Sequence, residues 1–296
     1  MSATIVRSAI DRCTPLRRAV KSEPGQHVVQ TLRGARVVRR PLRFAALQAT
    51  SAPVAPHVLR DSGLQIFLRH HTRDVHILNE IFGRTGGRNS YEPPPPVAAA
   101  LDARAPLGVL DLGGNIGLFG AYVLSRWPGS EVRSYEPDPR NLQVIDSVIA
   151  ANALRSRWTV TEAAVSDRDG EMTFASGLFA DSHLEYGPVD GVGAAAGRAE
   201  DSIKVRTVDL FALDDDVDLL KMDIEGGEWP ILADPRLTRL RAQALVLEWH
   251  AQGCPEADPR AAVKALLRRA GYERIEEIEV GAENGLLWAW RNTLSP

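Results

Sequence analysis

Four strand-like runs in this chain, three apolar and one alternating, lead into an acid. Asp111 follows Val109-Leu110, Glu136 follows Glu131–Tyr135, Asp223 follows Val217–Met222, and Glu248 follows Ala244–Leu247. In an open α/β sheet the carboxyl ends of the strands open on one rim, where ligands bind. So many carboxylates on a merely structural rim would be costly without partners. Beyond Asp111 the chain reads Leu112-Gly113-Gly114-Asn115-Ile116-Gly117-Leu118-Phe119, the signature of a strand, a tight turn and a helix start. Gly113, Gly114 and Gly117 let the backbone take positive φ and approach a ligand closely, and Asn115 is the non-glycine residue that best tolerates the left-handed region. A dinucleotide turn would set Asp111 against phosphates, and Leu118 stands near where the last glycine of that fingerprint is expected. The acid suits instead a cofactor with an ammonium, a sulfonium and no pyrophosphate, namely S-adenosylmethionine. Glu136, about one βαβ unit later, can accept both ribose hydroxyls of an adenosine, while Asp138-Pro139 caps the next helix.

The other strand ends supply the remaining chemistry. Methyl transfer to a hydroxyl needs in-line placement of acceptor and methyl, and removal of the acceptor's proton. Asp223 and His250 are the candidates for that removal. Alternatively Asp223 and Glu248, with His250 as a further ligand, hold a magnesium ion that binds the acceptor oxygen and lowers its pKa. Lys221, unusual within an apolar strand, either pairs with Glu225 or Glu248, orients the acceptor, or simply extends its head to the rim. Glu228, ahead of Pro230, reads as a helix-start acid. Ala163-Ala164, at the end of a strand expected over Trp158–Val165, is small enough to lie against an adenine edge.

These residues carry a resemblance. Asp111-Leu-Gly-Gly-Asn-Ile-Gly, Tyr135-Glu136-Pro137-Asp138, Ala163-Ala164-Val165-Ser166-Asp167 with Gly170, Val205-Arg206-Thr207-Val208-Asp209, Leu220-Lys221-Met222-Asp223-Ile224-Glu225-Gly226-Gly227-Glu228 and Leu247-Glu248-Trp249-His250 resemble the ordered motifs of the FkbM family of S-adenosylmethionine-dependent methyltransferases. The resemblance extends more weakly to Arg69, Asp74, Glu80-Ile81-Phe82 and Tyr91-Glu92-Pro93-Pro94. It implies a Rossmann-like class I fold of the α/β class, with a mostly parallel seven-stranded sheet ending in an antiparallel hairpin. It also implies O-methylation of a hydroxyl on a sugar, glycoside or other small-molecule natural product. An N-methyltransferase on the same fold and a cofactor-binding interaction protein without turnover remain alternatives; a nicotinamide oxidoreductase is disfavoured by Asp111 with Asn115.

The elements that must position these groups follow from periodicity. Strands are expected at Leu64–Leu68, Glu131–Tyr135, Glu171–Ala175 and Ile203–Val208, and helices at Asp74–Phe82, Leu118–Trp127, Arg140–Ala151 and Pro259–Ala270. A closing hairpin of Arg274–Val280 and Leu286–Trp290 turns at Glu283-Asn284-Gly285. Residues 62–296 form the catalytic domain, with 62–100 as a lid-like segment setting Tyr91 against the cofactor. Residues 1–61 are expected as a basic arm: residues 1–60 carry a net +9, which leaves −12 for the remaining 236 of a chain whose total is −3. That arm could meet a membrane surface, an anionic substrate or the acidic body of its own chain. His70, His71 and His76 read as a solvated face, and Asp181–Glu200, rich in Gly and Ala, as part of an acceptor pocket. The 296 residues, 44% apolar and 25% charged, suffice for one sizeable core. No run approaches the ~20 apolar residues of a membrane span, so no transmembrane segment is expected. Two distant cysteines and no zinc-spaced Cys/His cluster point to a reducing cytoplasm. The expected partner is a small hydroxylated acceptor, glycans included, and no nucleic acid; a homodimer is left open.

Overall fold

The computed structural model describes residues 23–50, 54–84, 88–175, 183–184, 202–213 and 217–294. Helices α1 (Glu23–Val37) and α2 (Pro41–Gln48) lead into an antiparallel hairpin of β1 (Ala55–Val58) and β2 (Gln65–Leu68), followed by α3 (Asp74–Ile81) and α4 (Pro95–Arg104). The boundary expected at 61/62 therefore runs through a hairpin. Val38, Phe44 and Leu59 are buried in the same cluster as Val109 and Ile116, so residues 23–60 belong to the body. Charge alone marked them as an arm because their arginines lie outward while a few apolar side chains hold them down. His70 also departs from expectation: it is buried, its Nε2 lies 2.9 Å from His57 Nε2, and its Nδ1 lies 2.7 Å from Gln48 Nε2.

The Rossmann-like core follows as β3 (Gly108–Leu112), α5 (Leu118–Arg126), β4 (Glu131–Tyr135), α6 (Pro139–Ala151), β5 (Trp158–Thr161), β6 (Ala164–Ser166), β7 (Gly170–Ala175), β8 (His183–Leu184), β9 (Ser202–Asp209), β10 (Leu219–Met222), α7 (Glu228–Ala233), β11 (Ala244–His250), α8 (Pro259–Arg269), β12 (Arg274–Val280) and β13 (Asn284–Trp290). Seven strands form one sheet in the order β12-β13-β11-β10-β3-β4-β5. The strands from β11 to β5 run parallel, and β13 pairs antiparallel with both β11 and β12. Apolar runs without polar alternation suit strands covered on both faces. Val109, Val132, Val246 and Trp288 fill one side, and Leu110, Leu220, Leu245 and Leu287 the other.

Two strand expectations are corrected. The run Trp158–Val165 is not one strand: β5 ends at Thr161, the Ala163 N–H turns back to the Thr161 carbonyl at 3.0 Å, and β6 joins a second sheet of order β6-β9-β7-β8. Within it β7 and β9 pair antiparallel, Met172 opposite Val205. The closing hairpin turns earlier than expected, where the Gly281 N–H donates to the Asn284 carbonyl at 2.8 Å. Gly285 lies within β13, and a Cβ there would come within 2.8 Å of the Trp249 indole, so close packing requires that glycine. Of the Asp181–Glu200 segment only residues 183 and 184 lie among the described residues. No helix among the described residues is long and apolar enough to cross a membrane.

Candidate active site

The turn from β3 into α5 takes positive φ at two of its three glycines; Gly114 lies outside that region and is needed instead for close packing, since a Cβ there would lie 3.2 Å from Ser134 Cβ. Gly113 and Gly117 have φ of 77° and 81°, and Asn115 has φ of 48°. A Cβ on Gly113 would lie 1.9 Å from the Asp223 carbonyl oxygen. The N–H groups of Gly113 and Gly114 donate to the Tyr135 carbonyl at 3.0 and 2.9 Å, and the Asn115 N–H donates to Glu136 Oε2 at 2.7 Å. Glu136 is also bound through Oε1 by the Asp138 N–H at 2.8 Å and Asn141 Nδ2 at 3.2 Å. Burial pushes its carboxyl up to about 7 against the pull of those donors. Glu136 lines a cleft with Gly113, Asn115, Asn141, Ala164 and Phe174. Gly114 lines the adjoining cavity described below.

Asp111 lies beneath this cleft and lines neither cavity of the site. Strand register sets Lys221, Asp111 and Ser134 side by side on β10, β3 and β4. Ser134 Oγ donates to Asp111 Oδ2 at 2.8 Å, and Lys221 Nζ stands 3.5 Å from Asp111 Oδ1. Lys221 also donates to the carbonyls of Leu112 at 3.2 Å and Gly113 at 2.5 Å, and lies 3.4 Å from Asp223 Oδ2. Burial favours the neutral amine, but Asp223 and Asp111 outweigh it and raise the pKa, so Lys221 is an ammonium. Its carboxylate partners are thus Asp111 and Asp223, and not Glu225 or Glu248.

A second cavity, about 350 Å³, is lined by Glu80, Tyr91, Lys221, Glu248 and His250. It shares Gly113, Asn115, Asp223 and Glu225 with the first. Glu225 and Gly226 both have positive φ, 52° and 96°, which returns the chain onto the buried Glu228. Its carboxylate accepts the N–H groups of Ile224 at 3.3 Å and Gly226 at 3.1 Å, and meets His250 Nδ1 at 3.1 Å. His250 Nε2 faces Glu225 Oε2 at 3.3 Å and Glu248 Oε1 at 4.0 Å. Burial opposes the imidazolium, yet the hydrogen bond and charge of Glu228, then Glu225 and Asp223, push its pKa up to about 10. Crowding acts in reverse on the acids. Burial and then Asp223 push Glu225 and Glu248 up to about 8 and Glu80 to about 7. The Tyr91 hydroxyl reaches Asp223 Oδ2 at 3.4 Å and Glu248 Oε2 at 3.5 Å.

Asp223, Glu225 and His250 each offer a ligand atom, all within 4.8 Å of one another. This trio keeps Asp223 and His250 of the set expected for a metal and adds Glu225, while Glu248 Oε1 stands 4.0 Å from His250 Nε2. Glu228 as the partner of His250, together with Glu80 and Phe174, escaped sequence reasoning. The two glycines after Glu225 signalled a turn but not what it encloses.

A mostly parallel seven-stranded sheet with this strand order, bearing a glycine turn and two clefts that meet at an acidic rim, defines a Rossmann-like class I methyltransferase. The family profile described as Methyltransferase FkbM domain matches residues 111–274, and the chain belongs to that family. Methyltransferase sdnD of Sordaria araneosa is 26% identical over 195 residues, which cover 56% of this chain and 73% of that protein. A solved methyltransferase FkbM from Methylobacillus flagellatus KT is 19% identical with a TM-score of 0.42; the match covers 62% of this chain and 43%, under half, of that one. A precorrin-6y C5,15-methyltransferase from Geobacter metallireducens GS-15 is 15% identical with a TM-score of 0.39, covering 66% of this chain and 86% of that one. The protein is thus a methyltransferase, and its family implies S-adenosylmethionine as the donor.

Proposed function

We propose that the chain methylates a hydroxyl oxygen of a small hydroxylated molecule, glycans included, in a reducing cytoplasm suited to the free thiol of Cys254. The observation that carries this reading is the wall common to both cavities: Gly113, Asn115, Asp223 and Glu225 border each. The first cleft is concave and lined by apolar side chains with a few convergent polar groups, the character of a small-ligand site. A buried carboxylate lines it, and its glycine backbone lies where a side chain would collide. S-Adenosylmethionine supplies a methyl group already made electrophilic by its sulfonium. Glu136 would bind the ribose hydroxyls, Ala164 would leave room at the adenine edge, and the acids Asp223 and Glu225 of the shared wall would meet the cationic end. Lys221 fixes the Gly113 carbonyl and the Asp223 carboxylate, with Asp111 balancing its charge beneath. The Asp223 carboxylate, which borders both cavities, takes the acceptor's proton. Tyr91 and Glu248 hold the acceptor hydroxyl, and His250, kept cationic by Glu228 and Glu225, orients the acids around it.

A second reading is favoured by the mutual closeness of Asp223, Glu225 and His250. Asp223 and Glu225 would hold a magnesium ion, joined by His250 only once it has given up its proton, and the ion's chemistry is to lower the pKa of a bound hydroxyl. The test is a labelled-methyl screen of glycosides and amines with native protein and Asp223→Asn, with magnesium and with chelator. An O-methyl product that falls by about 100-fold or more in the variant is expected, the scale of a lost proton acceptor. Label recovered on nitrogen, with Asp223→Asn still active, would overturn the hydroxyl assignment.

A further inference from the structure

We propose that the acceptor carries a phosphate or diphosphate, and that an arginine-lined cavity away from the methyl-transfer site holds it; this rests on the hydroxyl-methylation reading above. The cavity, about 440 Å³, is walled by Arg33, Arg36, Arg60, Arg84 and Arg126, and among the described residues Asp61 is the single acid in its lining. Arg126 is neutralised by Asp102 at 3.1 Å. Arg60 is held by neutral groups: its Nε donates to the Arg36 carbonyl at 3.1 Å and its Nη2 to the Val38 carbonyl at 2.9 Å. These bonds fix the guanidinium without cancelling its charge. Arg33, Arg36 and Arg84 have no carboxylate partner among the described residues. Four cations therefore face one acid, on a chain whose residues 61–296 are otherwise strongly acidic. Like charges gathered round a concave surface repel one another and draw a multivalent anion. The planar fork of arginine matches phosphate oxygens in pairs, which a lysine cannot do.

The cavity is joined to the site. It shares Arg33, Gly83 and Asn89 with a trench of about 520 Å³ whose acids are Glu80, Glu276, Glu277 and Glu279, so the anionic end belongs in the arginine cavity, and that trench shares His76 and Glu80 with the methyl-transfer cavity. Gln30, Asn79, Asn89 and Ser90 give the trench amide and hydroxyl groups suited to a polyhydroxylated middle portion. Helix α5 measures the span: Leu118 lines the methyl-transfer cavity and Arg126 the arginine cavity, about 12 Å apart along the helix axis. One molecule can thus present a hydroxyl to Asp223 and an anionic end to the arginines. A flat basic face would suit a membrane surface instead, but these guanidinium groups line a concavity.

The deciding experiment titrates inorganic pyrophosphate into the full chain saturated with S-adenosylhomocysteine, by calorimetry, for native protein and the double variant Arg36→Ala with Arg84→Ala. Native binding that weakens with salt, and a Kd about 25-fold higher in the variant, are expected, about fivefold for each exposed charge-assisted contact. S-Adenosylhomocysteine affinity should be equal in both, which shows that the variant is folded; its absence in both would sink the cofactor reading rather than this one. In the labelled-methyl screen, nucleoside diphosphate sugars should outrun the corresponding free sugars, and the double variant should erase that preference through KM. Pyrophosphate affinity untouched by the variant, or free sugars preferred, overturns the proposal. So does sedimentation with phosphatidylglycerol vesicles, but not phosphatidylcholine vesicles, in the absence of pyrophosphate binding, since the arginines would then be a surface-docking face.

Discussion

Replacing Glu228 with Gln keeps the shape of a buried side chain and removes its charge. The raised pKa of His250, from 6.5 to about 10, corresponds to roughly 5 kcal/mol favouring the imidazolium. A single charge at the 3.1 Å separation of His250 from Glu228 gives a similar figure, roughly 5 kcal/mol, at an effective dielectric of about 20. Because Glu225 and Asp223 remain, the variant should lose about 3 kcal/mol of this, which brings the His250 pKa down to roughly 8 or below. Long-range nitrogen-proton NMR, with the signal assigned by His250→Gln, reads this directly. The stability effect has a definite sign. A base whose folded pKa is raised contributes stability that is fully present below pH 6.5 and is lost as pH rises through about 10. The difference between native protein and Glu228→Gln in denaturant unfolding should therefore be largest near pH 6 and shrink toward pH 10. An unchanged His250 titration in the variant, or a stability loss independent of pH, would refute the reasoning.

Other outcomes follow from the same geometry. Glu136→Ala should weaken S-adenosylmethionine binding by about 1–3 kcal/mol through lost ribose hydrogen bonds, and calorimetry showing equal affinity removes that assignment. Gly113→Ala adds about 1–2 kcal/mol of left-handed strain to a collision with the Asp223 carbonyl; a variant with native melting temperature and cofactor affinity would contradict the close approach. Burial, and for His57 next the His70 charge and for His70 next the His71 charge, pushes both pKa values down to about 4. Their stabilising effect is present above pH 6.5 and lost as pH falls through about 4, so denaturant unfolding should lose a few kcal/mol between pH 7 and 4, and less in His57→Phe. If magnesium assists, chelator abolishes turnover and added magnesium restores it, whereas turnover indifferent to chelator leaves Asp223 acting as a simple base.

The sequence was sufficient for whatever depends on local chemistry and period. Short apolar runs ending in acids, a turn that only Gly113 and Gly117 could make, and a second acid one βαβ unit later are properties of neighbouring residues. They specify a parallel sheet whose ligand rim is acidic. Tertiary structure decided which of the acids meet. Only strand register brings Lys221 to Asp111 and Ser134, which turns a presumed cofactor ligand into a buried counter-ion beneath the rim. Only the left-handed pair Glu225 and Gly226 folds Glu228 back under His250 and makes an apparent helix-start acid the determinant of a histidine's charge. Net charge marked residues 23–60 as an arm, because charge counts the arginines and not the few buried side chains that dock the segment. Proton affinities and cavities belong to groups distant in sequence, set by burial and by charges that arrive only when the chain has folded.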